Sequence, residues 1–341
     1  MPPRAPVGAA RLRLVLGSLL LVLAGVGLAA ASLGAGRLSL LALWQSVSAD
    51  ERIARTILLD VRLPRVALAG LLGGALTVAG LVFQALLRNP LADPYILGVA
   101  GGASIGGVLA LVLGPATWLY GAGLPAAAFC GALAALLLIE RIATVGGRLT
   151  VYTVLLTGAI FNAFSAAVIY LLQSMASLDQ LHSIVFYLMG RIPSLGWHSI
   201  GAIAVPIVAA VLLLAARARD YNVLTLGEEG AAYLGVDVER LKRQTFVVGS
   251  LLTALTVSVA GMIGFVGLIV PHLLRLLFGP DHRLLIPAGF LGGASFLILA
   301  DLVSRTLISP DELPVGVVTA LVGGPFFLYL LRRRGRGRVF D

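Results

Sequence analysis

Uninterrupted apolar runs of about 17 to 25 residues recur along this chain, and no other feature restricts its folding so severely. A helix rises about 1.5 Å per residue, so each run can cross a hydrocarbon core of about 30 Å. Inside lipid every backbone amide and carbonyl must be paired internally, which leaves helices or closed barrels. The runs are continuous rather than alternating, which selects helices. Ten are read here: residues 14–33, 64–87, 95–113, 121–139, 150–172, 200–216, 246–263, 264–278, 284–303 and 313–331. The eighth is short and contains Pro271, so a broken or tilted helix is expected there. Only 12% of residues are charged, against about 25% in a soluble domain. The expected fold is an all-α polytopic membrane protein with a single transmembrane domain over residues 1–341.

Glycine pairs at four-residue spacing, Gly70/Gly74, Gly102/Gly106 and Gly289/Gly293, permit close helix contact in lipid. Arg4, Arg11 and Arg13 precede the first run and Ala29-Ala30-Ala31 lies near its end, as in a secretory leader. The run is long enough to span, so it is read as a retained first helix. The net charge of +9 is informative through its placement. With the N-terminus inside, the inner segments carry those three arginines, the basic residues from Arg217 to Arg243 and the Arg332 to Arg338 tail. The outer segments carry Arg37, Arg52, Arg55, Arg62, Arg65, Arg191 and Arg305. The bias puts both termini in the cytoplasm.

Absences separate the mechanisms. Lys242 is the only lysine and no G-x-x-x-x-G-K-[ST] loop exists, so the chain does not bind ATP in the P-loop manner. The runs lack the mid-membrane relay of carboxylates or histidines that proton-driven pumps need, whereas sodium coordinated by backbone stays open. His182, His198, His272 and His282 lack metal-ligand spacing; His182, on the outer side, is the one to test as a haem ligand. Cys130 sits in an apolar run and reads as a small core residue. None of this describes an enzyme. A sodium-coupled secondary transporter and a structural or receptor membrane protein are the rival readings.

One internal loop, TLGEEGAAYLGVDVERLKR from Thr225 to Arg243, concentrates charge in this apolar chain. Thr225 and Glu228 fit a capping box at the start of a helix of about eight residues. Gly235 supplies its stop, and Asp237 can cap the helix that leads into the seventh run. Glu228, Glu229, Ala231, Ala232 and Leu234 then form a small rigid knob on the cytoplasmic side, suited to docking into a partner. In the fifth run Asn162 and Ser165 are polar among apolar neighbours and are candidates to face a translocation path. Residues 181–190 are too short to span and read as a partial helix at the outer mouth.

Several strings resemble the FecCD-type permeases, the membrane subunits of ABC importers for iron chelates, haem and cobalamin. They are Val61-Arg62-Leu63-Pro64-Arg65, Arg88-Asn89-Pro90-Leu91-Ala92-Asp93-Pro94 and Leu226-Gly227-Glu228-Glu229. Further matches are Gly264-Phe265-Val266-Gly267-Leu268-Ile269-Val270-Pro271-His272, Ala300-Asp301 through Arg305, and Glu312-Leu313-Pro314-Val315-Gly316. Their order and spacing cover nearly the whole chain, and the pattern is most similar to the cobalamin permease branch. The resemblance implies a type II importer permease fold and a homodimer with the path on its twofold axis. It also implies two cytoplasmic ATPase subunits, which would hold ATP and Mg²⁺, an external binding protein, and no cofactor or nucleic acid in this chain. It assigns the knob to ATPase coupling, Arg62, Arg65 and Arg305 to docking of the binding protein, and Asn89 and Leu91 to a cytoplasmic gate. A wide, mostly apolar, weakly binding path is expected, with selectivity residing in the binding protein.

Overall fold

The computed structural model describes residues 8–33, 53, 55–114, 121–308 and 311–334. Arg4, Arg37, Arg52, Arg336 and Arg338, which entered the charge argument, lie outside the described residues. The regular structure among the described residues is helical apart from one small hairpin. Helix α1 spans Ala9–Ser32. A π-helical turn, Ile57–Arg62, runs directly into α2, Leu63–Leu86. A 3₁₀ turn, Pro94–Leu97, precedes α3, Val99–Leu113, which is followed by α4, Gly123–Ala143. The hairpin pairs β1, Thr144–Val145, with β2, Arg148–Leu149, around Gly146 and Gly147, both at positive φ as a tight two-residue turn requires. Then come α5, Val151–Met175, and α6, Leu178–Met189. Next are α7, Trp197–Ala216, α8, Ala218–Leu224, and α9, Glu228–Tyr233. The chain continues through α10, Val238–Ala260, α11, Val266–Phe278, α12, His282–Thr306, and α13, Val315–Arg334.

Seven helical segments are long and apolar enough to cross a membrane, and three shorter apolar helices, Val99–Leu113, Val266–Phe278 and Val315–Tyr329, lie where other runs were read. The helix spanning residues 57–86 is the pillar of the bundle, with 89% of its apolar window buried, whereas only 22% is buried in α5 and in α7. Those two helices expose Tyr152, Phe164, Tyr170, Val205 and Leu212, an apolar surface matched to lipid or another hydrophobic partner.

Small residues set the helix spacing. A β-carbon on Gly73 would lie 2.3 Å from the Gly293 carbonyl oxygen, so α2 and α12 touch backbone to backbone. Gly102 and Gly131 bring α3 and α4 equally close, since a β-carbon on Gly102 would meet the Gly131 oxygen at 2.5 Å. In lipid such contact supplies dispersion attraction that hydrophobic burial does not. Cys130 departs from its expected place in the core: it is exposed and lines an apolar groove of about 750 Å³ between α3 and α4. It faces outward because Gly131, its neighbour, occupies the helix contact.

Two helices start later than the apolar pattern suggests. Pro94 and the left-handed Gly98 hold residues 94–97 in a 3₁₀ turn, so α3 begins at Val99. Residues 261–265 are non-helical between α10 and α11, with Gly261 at φ 70° and Phe265 at φ 68°. Backbone left unpaired by this break finds local partners: Arg191 N–H donates to Ala260 O at 2.8 Å and Ile263 N–H to Tyr95 Oη at 2.9 Å. Non-helical backbone at membrane depth is tolerated where protein covers it or a cavity adjoins it. The segment expected as a partial helix is α6, opened by a full capping box between Ser177 and Gln180 and closed at Gly190, φ 76°. On it His182 is exposed and packs against the Phe186 ring, 4.5 Å between centroids.

Candidate functional site

The charged loop folds as a short helix with a defined start and stop, but the expected capping box does not form. Thr225 Oγ1 instead donates to Asn222 O at 2.6 Å, finishing α8. The N-cap of α9 is Gly227 at φ 102°, with no side-chain cap. The reason is steric: the chain reverses between α8 and α9, and that turn needs a conformation open to glycine and closed to threonine. The helix is six residues long rather than eight. Its end matches expectation. Gly235 N–H donates to Ala232 O and Val236 N–H to Ala231 O, both at 3.0 Å, with Gly235 at φ 84°, which is the Schellman pattern. Asp237 then caps α10 through a 3.1 Å bond from Arg240 N–H.

Of the predicted coupling residues, Ala231 is buried against the bundle while Glu229, Ala232, Leu234 and Gly235 are exposed. Glu228 is turned inward to Lys242, Oε2 to Nζ 3.0 Å, and Lys242 also meets Glu239 at 2.6 Å. The surface left outward is apolar as well as acidic: Leu226 is 68% exposed and Tyr233 91% exposed. Sequence reading singled out neither residue. Tyr233 stands one helical turn beyond Glu229, and an aromatic in a charged loop was the available signal. Behind the knob, Asn222 fastens α8 to the start of α12. Its Nδ2 donates to Asp281 Oδ1 at 2.7 Å and its Oδ1 accepts from His282 N–H at 2.8 Å. Bonds from Arg283 and from Asn222 hold the Asp281 carboxyl below its ordinary value, at about 2, so it is anionic at any physiological pH.

The Asn89-Pro90-Leu91 turn follows the C-terminal end of α2. Arg88 takes φ 46°, one of two non-glycine residues with positive φ among the described residues. Asn89 Oδ1 accepts from Leu91 N–H at 2.9 Å, an Asx turn that fixes the bend before Pro90 can act. Asp93 caps the 3₁₀ turn through Tyr95 N–H at 2.8 Å. Its burial raises the carboxyl to about 6. Gln84 Nε2 donates to both Ala92 O and Gly267 O at 3.2 Å, and Arg275 donates to Gln84 Oε1, so the turn is tied to α11. Between the turn and the non-helical break lies a cavity of about 370 Å³, lined by Leu91, Asp93, Tyr95, Met262 and Phe265 among others.

Asn162 ties α5 to the 3₁₀ turn, while Ser165 bonds back onto its own helix. Asn162 Nδ2 donates to Tyr95 O at 3.0 Å, and Ser165, buried, donates to Phe161 O at 2.7 Å. A β-carbon on Gly101 would lie within 3 Å of both side chains, so they face the first turn of α3. Neither lines one of the two cavities described above.

At the opposite end of the bundle, Arg62, Arg65 and Arg305 are 9%, 8% and 7% exposed, which corrects the expectation of guanidinium groups offered outward to a partner. Arg65 makes two bonds to Asp301 Oδ1, at 3.0 and 2.9 Å, and two to Glu312, at 2.9 Å. Arg305 meets Asp301 Oδ2 at 3.0 Å and Ala30 O at 3.1 Å. Arg62 donates to Ala31 O and Ser32 O, at 3.1 and 2.9 Å. Arg62 and Arg305 cap the carbonyl end of α1, and with Arg65 the cluster joins it to α2, α12 and the approach to α13. The Arg305–Asp301 pair at i, i+4 is the local alternative, and Asp301 is the hub because it alone is 1% exposed.

A bundle of apolar helices with a short charged helix and an irregular turn at the same end is the architecture of a multi-pass membrane protein. The chain belongs to the FecCD transport family, whose model matches residues 19–333, and is a permease subunit of the ABC importer kind. It is 45% identical over 281 residues to the cobalamin import system permease BtuC of Halobacterium salinarum, covering 82% of this chain and 74% of that one. It is 40% identical over 331 residues to the hemin transport system permease HmuU of Yersinia pestis, covering 96% and 97%. A solved ABC transporter described as of metal-chelate type, in an inward-facing conformation, superposes with a TM-score of 0.81 at 34% identity, covering 94% of this chain and 99% of that one.

Proposed function

We propose that two copies of this chain form the membrane channel of an ATP-driven importer that moves a metal chelate, a ferric siderophore, haem or cobalamin, into the cytoplasm. Each copy crosses the cytoplasmic membrane of a bacterium or archaeon ten times with both termini inside. Two cytoplasmic subunits carrying ATP and Mg²⁺ dock on α9, and an external binding protein delivers the substrate. This chain holds no cofactor. The Asn89-Pro90-Leu91 turn is the inner gate. The observation that carries the reading is the surface of α9, where Leu226, Tyr233 and Leu234 stand exposed beside Glu229 on a helix with a defined stop. Exposed large side chains on a polar, water-facing knob mark a docking surface. The cobalamin and hemin import of the relatives supports the substrate class.

The test is uptake into liposomes that hold the chain with its ATPase subunit, supplied with the cognate binding protein and with haemin, cyanocobalamin or a ferric hydroxamate in turn. ATP-dependent uptake of one of them supports the proposal. Uptake driven by a sodium gradient without ATP would replace it with a secondary transporter. Reversing Glu229 to Lys and removing Tyr233 releases the ATPase subunit on purification; retention of that partner by the double variant would sink the assignment of the knob.

A further inference from the structure

The knob is fastened to the bundle by the one lysine of the chain. Ala231 is the only buried residue of α9, so apolar packing contributes little to holding it. Lys242, in the first turns of α10, is 4% exposed. Its ammonium lies 3.0 Å from Glu228 Oε2 on α9 and 2.6 Å from Glu239 Oε1 on its own helix. A buried ammonium needs such partners, because removing it from water without them is costly. The contacts continue. The other oxygen of Glu239, Oε2, accepts from Leu149 N–H at 2.9 Å, and Leu149 ends the hairpin two residues before α5 begins. α5 in turn holds the inner turn through Asn162 and the Tyr95 carbonyl.

We propose that Lys242 is a positioning residue that passes displacement of α9 to the hairpin and α5, through Glu239. This rests on the reading that an ATPase subunit docks on α9. A compact ammonium with three donors suits a junction of two carboxylates from different elements, and both carboxylates, 37% and 38% exposed, can swing with it. A purely stabilising lysine would raise resistance to unfolding and leave the hairpin indifferent to events at α9.

The test uses the full chain with its ATPase subunit in lipid discs, with Cys130→Ser and one spin label at Val145→Cys, an exposed hairpin position. Addition of ATP, Mg²⁺ and vanadate changes the label's spectrum in the parent. Lys242→Met shrinks that change at least fivefold while the ATPase subunit stays bound; Lys242→Arg restores most of it, and Glu239→Gln weakens it about threefold, in the range expected of a residue on a coupling route. Should Lys242→Met not assemble, Glu239→Gln and Glu228→Gln carry the test, each weakening the response. A full response in Lys242→Met or in Glu239→Gln overturns the proposal, as does a silent hairpin in a parent that binds and hydrolyses ATP. A parent that binds no ATPase subunit overturns the docking reading instead, a separate and recognisable outcome.

Discussion

Asp301→Asn tests whether the outer arginine cluster is a clamp of the fold. The carboxylate is 1% exposed and accepts three bonds, two from Arg65 and one from Arg305. An amide keeps the shape, removes the charge, and points a donor at a guanidinium. Arg65 keeps Glu312, and Arg305 keeps only the Ala30 carbonyl. Removing one partner from a buried ion pair costs about 3–5 kcal/mol, and the surviving Glu312 contact places this substitution near the lower end, about 3 kcal/mol. Glu312→Gln is the internal control. Its carboxylate is 41% exposed, so water replaces the lost charge and the cost is at most about 1 kcal/mol. In a chain this long each kcal/mol moves Tm by roughly 2 °C, so Asp301→Asn lowers it by about 6 °C and Glu312→Gln by about 2 °C or less. Tryptophan emission in detergent reads this near the cluster, since Trp197 Nε1 donates to Leu59 O at 3.0 Å in the π-helical turn that ends at Arg62. Equal shifts in the two variants, or none in Asp301→Asn, would refute the clamp. Loss of binding-protein capture at unchanged Tm would return the arginines to a docking role.

Tyr233→Ala removes a side chain with almost no folded-state contact, so Tm stays within about 1 °C while capture of the ATPase subunit falls about tenfold or more in pull-down. Gly80→Ala places a β-carbon 1.9 Å from the Gly267 carbonyl oxygen, forcing α2 and α11 apart by more than about 1 Å at a cost of about 3 kcal/mol or more; Gly17→Ala, in open space, is neutral in the same melting assay. Asp93 is raised to about 6 in the fold against about 3.9 in an unfolded chain, so the folded state binds the extra proton and is favoured at low pH, losing up to about 3 kcal/mol as pH rises from about 4 through 6. Asp93→Asn is flat across that window, and melting curves from pH 4.5 to 7.5 should show its advantage growing up to about pH 6 and levelling above it; a gap that does not grow below pH 6 would contradict the burial of the charge.

Helix existence was legible because lipid enforces it: a run of twenty apolar residues has few other fates. The stop at Gly235 and the cap at Asp237 were legible for the same local reason, since each depends on one residue's own conformational or hydrogen-bonding preference. Thr225 was misread because a capping box is a statement about which backbone amides are free, and the reversal at Gly227 moved the helix start two residues past it. The arginines were misread because a sequence gives their side of the membrane and not their partners: Asp301 lies 236 residues from Arg65 in the chain. Asn162 bonds the 3₁₀ turn and Ser165 its own helix, as a polar residue in an apolar run satisfies itself on nearby backbone as readily as on a cavity.

These corrections locate where the molecule can move. The helix that carries Arg65 at one end and Arg88 at the other is buried along nearly its whole length and held at Arg65 by the charge cluster, so displacement at the inner turn cannot be absorbed along it. It must be taken up by backbone that is already irregular. Among the described residues only Arg88 and Phe265 hold positive φ without being glycine, and they stand on the two strips of chain that flank the inner cavity. Residues kept in that region cost about 1–3 kcal/mol each and persist only where surrounding contacts over-determine them. Here the contacts are named: Gln84 across both strips, Asn162 on one, and Gly323 packed so tightly on Phe265 that a β-carbon would fall 2.5 Å from its ring. On the proposed reading of α9 as the ATPase docking site, a buried pillar with strained residues beside its cavity end would let a push at α9 open that end of the bundle while the other stays shut.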